Sequence, residues 1–479
     1  MRNKILNPIG GWFIFSSLVF SLSLFLYRLL KWIYTKFGGV TSDQFIFHAF
    51  ANLDGVPREI ILSFIYDPVA KPLIALVISL IIFSIVRSKL WSLVFVVSQV
   101  VVSVALMTAV AARYWSQDPA RHVSAEFKSQ NASKDWIAEF YIQPKVRINP
   151  KYNVLWVYIE SLEPKHAVDS GFKPDFRRGV TVPFVSLSGT GWTHAGVMAS
   201  QCGVPYLMLP GSDRSTHLKR ATCMTDVMAK LGYKIRFVGG AAMEFSNGGD
   251  FLQAHSIQRS DAIGTTELRK LLAPTLPDIA WGYGDTVLMD FAERDILNIH
   301  RSGEKYFYIL QTIDTHGPHG MFSPRCAQQG FKNTHADIYR CTLSRVDRLL
   351  RSLKEAGVFE NTALVLMGDH PLMRSYKFTW NDTLHDLAGG SMKASQHDVY
   401  AYMWSPKWLH QFKSVNTSAL GHFDIYPSVF SLAGGDFEQD GAGLGRNIFE
   451  LPSLLDRYSI NEFNYLLTRK SDFYESLWR

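Results

Sequence analysis

Two stretches limit what this chain can become. Ile5–Tyr27 and Leu90–Ala112 each run 23 residues without a charged side chain, more than the ~20 an α-helix needs to cross a bilayer. In hydrocarbon an unpaired backbone N–H or C=O is too costly, so such runs must be helical. Between them Pro72–Val86 is uncharged and flanked by Lys71 and Arg87, whose long side chains can reach the interface. Three spans are therefore expected, within an anchor of residues 1–115. Arg2 and Lys4 make the first run resemble a signal peptide, but no A-x-A-like site follows it, so a retained anchor is expected.

Charge in the short connections sets the orientation. Arg2 and Lys4 precede the first span, and Arg87 and Lys89 fill the turn between the last two. Both ends should be cytoplasmic, which leaves everything after Arg113 on the far side. Arg28, Lys31 and Lys36 compete with that assignment. Phe45–Ala51 and Ile60–Tyr66 are apolar and are expected to lie in the interface plane. A fourth crossing is the alternative, and it would put the large domain in the cytoplasm.

The rest of the 479 residues is long enough for a sizeable globular core. The net charge of +7 comes without a Lys/Arg-rich run, so nucleic acid is not an implied partner. Four cysteines, at 202, 223, 326 and 341, form no C-x-x-C pair. In an oxidising compartment Cys202–Cys223 and Cys326–Cys341 close the shortest loops; four buried thiols are the alternative.

Residues 116–150 are polar and read as a linker, with some helix at Ala132–Tyr141. From Lys151 onward, short apolar runs alternate with helical stretches. Expected strands are Val154–Ile159, Lys234–Val238, Tyr306–Leu310, Ala363–Met367 and Tyr400–Trp404. Expected helices are Thr193–Gln201, Cys223–Leu231, Ile338–Ala356 and Phe423–Ala433. That alternation predicts an α/β domain over 151–479 with a mostly parallel central sheet flanked by helices.

Three of these strands end on ionisable residues. Glu160 follows the first, in NVLWVYIE; Asp314, Thr315, His316 and His319 follow the third; Asp369 and His370 follow the fourth, in LVLMGDH. Parallel sheets build their sites at this carboxyl edge. A mixed carboxylate–imidazole set suits Mn²⁺ or Zn²⁺ better than Ca²⁺. Gly368 is expected to let the chain turn before Asp369. Thr193 falls near a helix start, where it is either a plain N-cap or a nucleophile whose hydroxyl ionises on a metal. GAGLGRN at 441–447 reads as a loop, and Asp424 as a cap of the helix after it. The Asn131 and Asn416 sequons are read as chance matches.

IESLEPK, the Thr of GWTHAG, ASQCGVP, THGPHGMFSPRC, YRCTLSRVD, MGDHPL and HFDIYPSVF together resemble the sulfatase-like transferases of the alkaline phosphatase superfamily. That group includes lipoteichoic acid synthases and phosphoethanolamine transferases. The resemblance is nearest to the phosphoglycerol transferase I branch, which modifies osmoregulated periplasmic glucans. It implies that Glu160, Thr193, Asp369 and His370 bind a divalent metal, Mn²⁺ first and Mg²⁺ or Zn²⁺ next. It also implies that Thr193 is the nucleophile and that His316 contacts the transferred group. His319, Glu244, Asn247 and Asp250 are further candidate contacts. The implied activity moves phosphoglycerol from phosphatidylglycerol to a glucan, by an enzyme of the bacterial inner membrane whose catalytic domain is periplasmic. A phosphoethanolamine donor, a polyglycerolphosphate acceptor and an inactive scaffold are the alternatives. A sulfatase activity is disfavoured, because Thr193 has no C/S-x-P-x-R context.

Overall fold

Asn153–Ile159 is buried along its whole length, as its run of β-branched and aromatic residues requires. It is the first of seven strands in the main sheet: β1 (Asn153–Ile159), β2 (Val180–Thr181), β3 (Lys234–Gly239), β4 (Ala262–Ile263), β5 (Tyr306–Gln311), β6 (Thr362–Gly368) and β7 (Ala401–Trp404). The structure is a computed structural model. It describes residues 8–479 apart from 38–43, 45–55, 87, 117, 119, 121–122, 183, 208–215, 246–247, 273–275, 277–278, 280, 318, 374–397 and 407–418.

The sheet order is β2-β7-β6-β1-β5-β3-β4. β6, β1, β5, β3 and β4 are mutually parallel, and β7 and β2 add an antiparallel edge. All the carboxyl ends of the parallel strands therefore face one way. Alternation along β1 feeds two cores. Val154, Trp156 and Tyr158 point to one face, and Leu155, Val157 and Ile159 to the other. Burying one large apolar side chain contributes roughly 1.5–3 kcal/mol, so this strand is a main source of cohesion for both layers.

Every expected strand and helix of the domain is present to within a few residues. The sequence reading missed the helix Asp285–Ser302, which covers the second core together with His335–Glu355. The stretch read as a linker carries short helices at Ala125–Gln130 and Trp136–Phe140, and Trp136 and Ile137 sit in the first core. GAGLGRN forms a two-stranded hairpin rather than a plain loop. Disulfides join Cys202 to Cys223 and Cys326 to Cys341.

A separate compact unit holds residues 56–118 and the first helix. Its helices are α1 (Pro8–Phe37), α2 (Arg58–Ile85) and α3 (Lys89–Ser116), and all three are long and apolar enough to cross a membrane. Ile60–Tyr66, expected in the interface plane, instead belongs to the second span. That span runs unbroken through a π-helical segment at Ile65–Ala70, where Pro68 lacks a backbone N–H. Phe45–Ala51, the other segment expected in the interface plane, lies outside the described residues. Gln99 of α3 ties the three helices together. Its carbonyl accepts from Ser16 (2.7 Å) and Ser17 (3.2 Å) of α1, and its NH₂ donates to Ser79 of α2 (3.1 Å). Such hydrogen bonds hold helices together where lipid supplies no hydrophobic drive.

Candidate active site

Glu160 leaves β1 and is immediately fixed. Its backbone N–H donates to Thr312 Oγ1 (2.9 Å), and its carbonyl accepts from Thr315 Oγ1 (2.5 Å). Both threonines follow β5, so the neighbouring strand end holds this one. Ser161 adopts φ 55°, a left-handed conformation that a residue with a Cβ takes at a cost of on the order of 1 kcal/mol. From there its hydroxyl donates to Glu160 Oε1 (2.8 Å), and its N–H donates to Asp369 Oδ1 (2.8 Å).

Asp369 and His370 follow β6. Gly368, expected to let the chain turn, is not among the positive-φ glycines. It is needed because a Cβ there would lie 2.4 Å from the Leu162 carbonyl oxygen. Asp369 Oδ1 also accepts the His370 N–H (2.9 Å), and His422 Nε2 bonds the Asp369 carbonyl (2.8 Å). Burial holds His422 down at about 3, so it is neutral and donates.

Thr193 opens the helix α4 (Thr193–Cys202). It is not the N-cap: that position is Trp192, and no side chain caps this helix. The Thr193 hydroxyl lies 3.3 Å from Glu160 Oε2 and 3.2 Å from His370 Nε2. Gly196, one turn on, lets the helix rest on the Asp369 loop. A Cβ there would lie 1.9 Å from the Asp369 carbonyl oxygen.

Four residues from distant parts of the chain thus converge. His370 Nε2 is 3.1 Å from Glu160 Oε1 and 3.7 Å from Asp369 Oδ2. His370 Nδ1 bonds the Pro371 carbonyl (2.7 Å), which fixes the tautomer with the Nε2 lone pair turned into the site. The charges are strongly interdependent. Burial pushes the Glu160 carboxyl up, but the charge and hydrogen bond of His370 outweigh it and hold the group down at about 2. Burial, then the Glu160 charge, push Asp369 up to about 7. Burial pushes His370 down, but Asp369 and Glu160 reverse this and hold it up at about 9.

These features fit a divalent cation. Asp369 Oδ2 is buried and has no hydrogen-bond partner among the described residues, a costly state unless a positive charge meets it. The ligand atoms of Glu160, Asp369 and His370 all lie within 4.8 Å of one another, and oxygen with imidazole nitrogen suits Zn²⁺ or Mn²⁺. Cys202, Cys223 and His255 also cluster, but both cysteines are in the disulfide.

A pocket of about 100 Å³ opens beside Thr193. His316 lines it, with the Trp281 ring tilted beside its own (5.4 Å between centroids). His316 Nδ1 bonds the Gly317 carbonyl (2.9 Å). The walls are largely apolar, with Phe237, Met243, Phe245, Phe251 and Ile313 among them. The other expected contacts are elsewhere. His319 is exposed; Glu244 is exposed and accepts from Thr266; Asp250 is exposed, 3.9 Å from Arg259; Asn247 lies outside the described residues. Asp314 is turned away as well. Burial, then the charge of Asp285, push it well above the usual carboxyl range, and it accepts the Asp285 N–H (3.1 Å).

Gln311 was missed by the sequence reading. It ends β5 on the face that Phe307 and Ile309 give to the first core. A polar residue therefore stands where strand alternation calls for an apolar one, and it lines the pocket. That break in the pattern was the available signal.

The chain is 30% identical over 251 residues to phosphoglycerol transferase I of Xanthomonas campestris pv. campestris, a match covering 49% of this chain and 36% of that protein. It is 26% identical over 379 residues to phosphoglycerol transferase I of Citrobacter koseri, covering 75% and 47%. The chain thus spans less than half the length of these curated relatives. A solved alkaline phosphatase superfamily protein from Vibrio parahaemolyticus superposes with TM-score 0.49 at 14% identity, over 69% of this chain and 78% of that one. The family model described as Sulfatase matches residues 184–435, and the chain belongs to that family.

Proposed function

We propose that this chain is a membrane-anchored, metal-dependent transferase that moves phosphoglycerol from phosphatidylglycerol to a glucan, with Thr193 as the nucleophile. The observation that carries the reading is the Thr193 hydroxyl, 3.2–3.3 Å from both His370 and Glu160 at the mouth of a pocket. Relatives named phosphoglycerol transferase I favour the donor.

Glu160, Asp369 and His370 would hold the cation, Mn²⁺ by preference. When bound, such an ion lowers the pKa of a hydroxyl and offsets phosphoryl charge. The chain's own groups supply the rest. Thr193 Oγ1 attacks phosphorus, its proton passes to water, and the bond from phosphorus to the diacylglycerol oxygen breaks. His316, with Nδ1 committed to a carbonyl, has Nε2 available to protonate that leaving oxygen. In the second step His316 takes the proton of an acceptor hydroxyl, which attacks phosphorus; the bond from phosphorus to Thr193 Oγ1 breaks and that oxygen regains a proton from water. Ser161 and Thr312 keep Glu160 in place throughout. The donor is a lipid, so an anchor keeps enzyme and substrate in one bilayer. Two disulfides support an oxidising, periplasmic setting for the domain.

The test is to incubate the full chain with Mn²⁺ and headgroup-labelled lipids and locate the label by peptide mass spectrometry. A phosphoglyceryl group on Thr193, absent in Thr193→Ala, is expected. A phosphoethanolamine group would change the donor, and no adduct from any lipid would defeat the transferase reading.

A further inference from the structure

A second pocket lies in the helical unit, at the end where α1 and α3 finish and α2 begins. Arg113 in the last turn of α3 bonds the Tyr34 hydroxyl of α1 (2.9 Å), which places both ends together. The pocket is lined by four cations, Arg28, Lys31, Lys36 and Lys71, and one carboxylate, Asp67. Asp67 is already shared between Arg28 (2.6 Å) and Lys71. Lys31 and Lys36 have no acidic partner among the described residues, and Arg28 Nε is buried without a hydrogen-bond partner. The π-helical segment Ile65–Ala70 brings Asp67 to this point; such segments recur at functional sites. Lys31 and Lys36 are exposed near the C-terminal end of α1, where an anionic headgroup at the membrane surface can meet them.

We infer that this pocket binds the phosphodiester headgroup of an anionic phospholipid. One phosphodiester supplies a negative charge for Lys31 and Lys36 and oxygens for the Arg28 N–H. The neighbouring surface suits acyl chains rather than water, since Leu62 and Ile65 are 52% and 51% exposed. The site also accounts for cations at the end of the bundle where the loop-charge rule did not expect them. It does not depend on the transferase reading.

The experiment is native mass spectrometry of the full chain in detergent holding equimolar phosphatidylglycerol and phosphatidylcholine. A chelator is present, so that the site around Thr193 lacks its ion. The wild type should retain phosphatidylglycerol preferentially. Each lysine near an anionic surface is worth about fivefold in affinity, so Lys31→Gln with Lys36→Gln should cut that preference roughly 30-fold. Arg58→Gln, at the same end but outside the pocket, should leave it intact, and circular dichroism should show unchanged helix. Equal retention of both lipids by the wild type, or an unchanged preference in the double variant, overturns the inference. Displacement of the lipid by millimolar inorganic phosphate would assign the pocket to a soluble anion and overturn the lipid source.

Discussion

Loading the metal-stripped protein with Mn²⁺ should release protons from His370 and Asp369. His370 is held up at about 9 and Asp369 at about 7, because burial and the crowded carboxylates favour keeping a proton in the site. At pH 7.5 His370 is then almost fully protonated and Asp369 about a quarter protonated. A cation taking Asp369 Oδ2 and His370 Nε2 must displace about 1.2 protons. At pH 9.5 only His370 still contributes, and the release falls to about a quarter of a proton. Affinity should therefore rise about tenfold per pH unit from pH 7.5 towards 9 and then level off. Thr193→Ala is the protein to use, since it removes any contribution from that hydroxyl. Calorimetry in buffers of different ionisation enthalpy counts the protons directly. Tight binding without proton release at pH 7.5, or a release unchanged between 7.5 and 9.5, would refute His370 as the group that exchanges a proton for the ion.

The same shifts govern the stability of the stripped protein. Both His370 and Asp369 bind a proton more tightly when folded, so their contributions are full at low pH and lost as pH rises, Asp369's between about pH 4 and 7 and His370's between about 6.5 and 9; the melting temperature without metal should fall across that range and be flatter with Mn²⁺ present. Gly196→Ala should weaken metal binding at least tenfold, read by calorimetry, because its Cβ would collide with the Asp369 carbonyl; unchanged affinity would show that α4 can yield. Gln311→Leu should raise KM for phosphatidylglycerol about three- to tenfold by removing one hydrogen bond, and should leave turnover of a diester without headgroup hydroxyls unaltered.

The sheet and the cluster of Glu160, Asp369 and His370 were legible because both are written locally. An apolar run that stops on Glu160, and another that stops at Gly368-Asp369-His370, state their own placement at a sheet edge. Ser161, Thr312 and Gln311 were not legible. Their importance comes from which strands lie side by side, and the β1–β5–β3 neighbourhood joins residues 153–159, 306–311 and 234–239. The helix Asp285–Ser302 hid because its buried positions, such as Val287, Leu288, Ile296 and Ile299, are interleaved with charges. The second span was read as starting only at Pro72 because Asp67 and Lys71 interrupt the apolar run; the two pair with each other, and Arg28, 39 positions away in another helix, also binds Asp67.

Gly196 leaves α4 no clearance above the Asp369 carbonyl. Under the proposed mechanism the attacking oxygen is thus an anvil rather than a hammer, unable to swing towards a phosphorus that arrives off line. Alignment falls to the incoming diester, which must rotate about its own bonds until the departing oxygen lies opposite Thr193. Stiff or bulky substrates should fail at that rotation even when their headgroup fits.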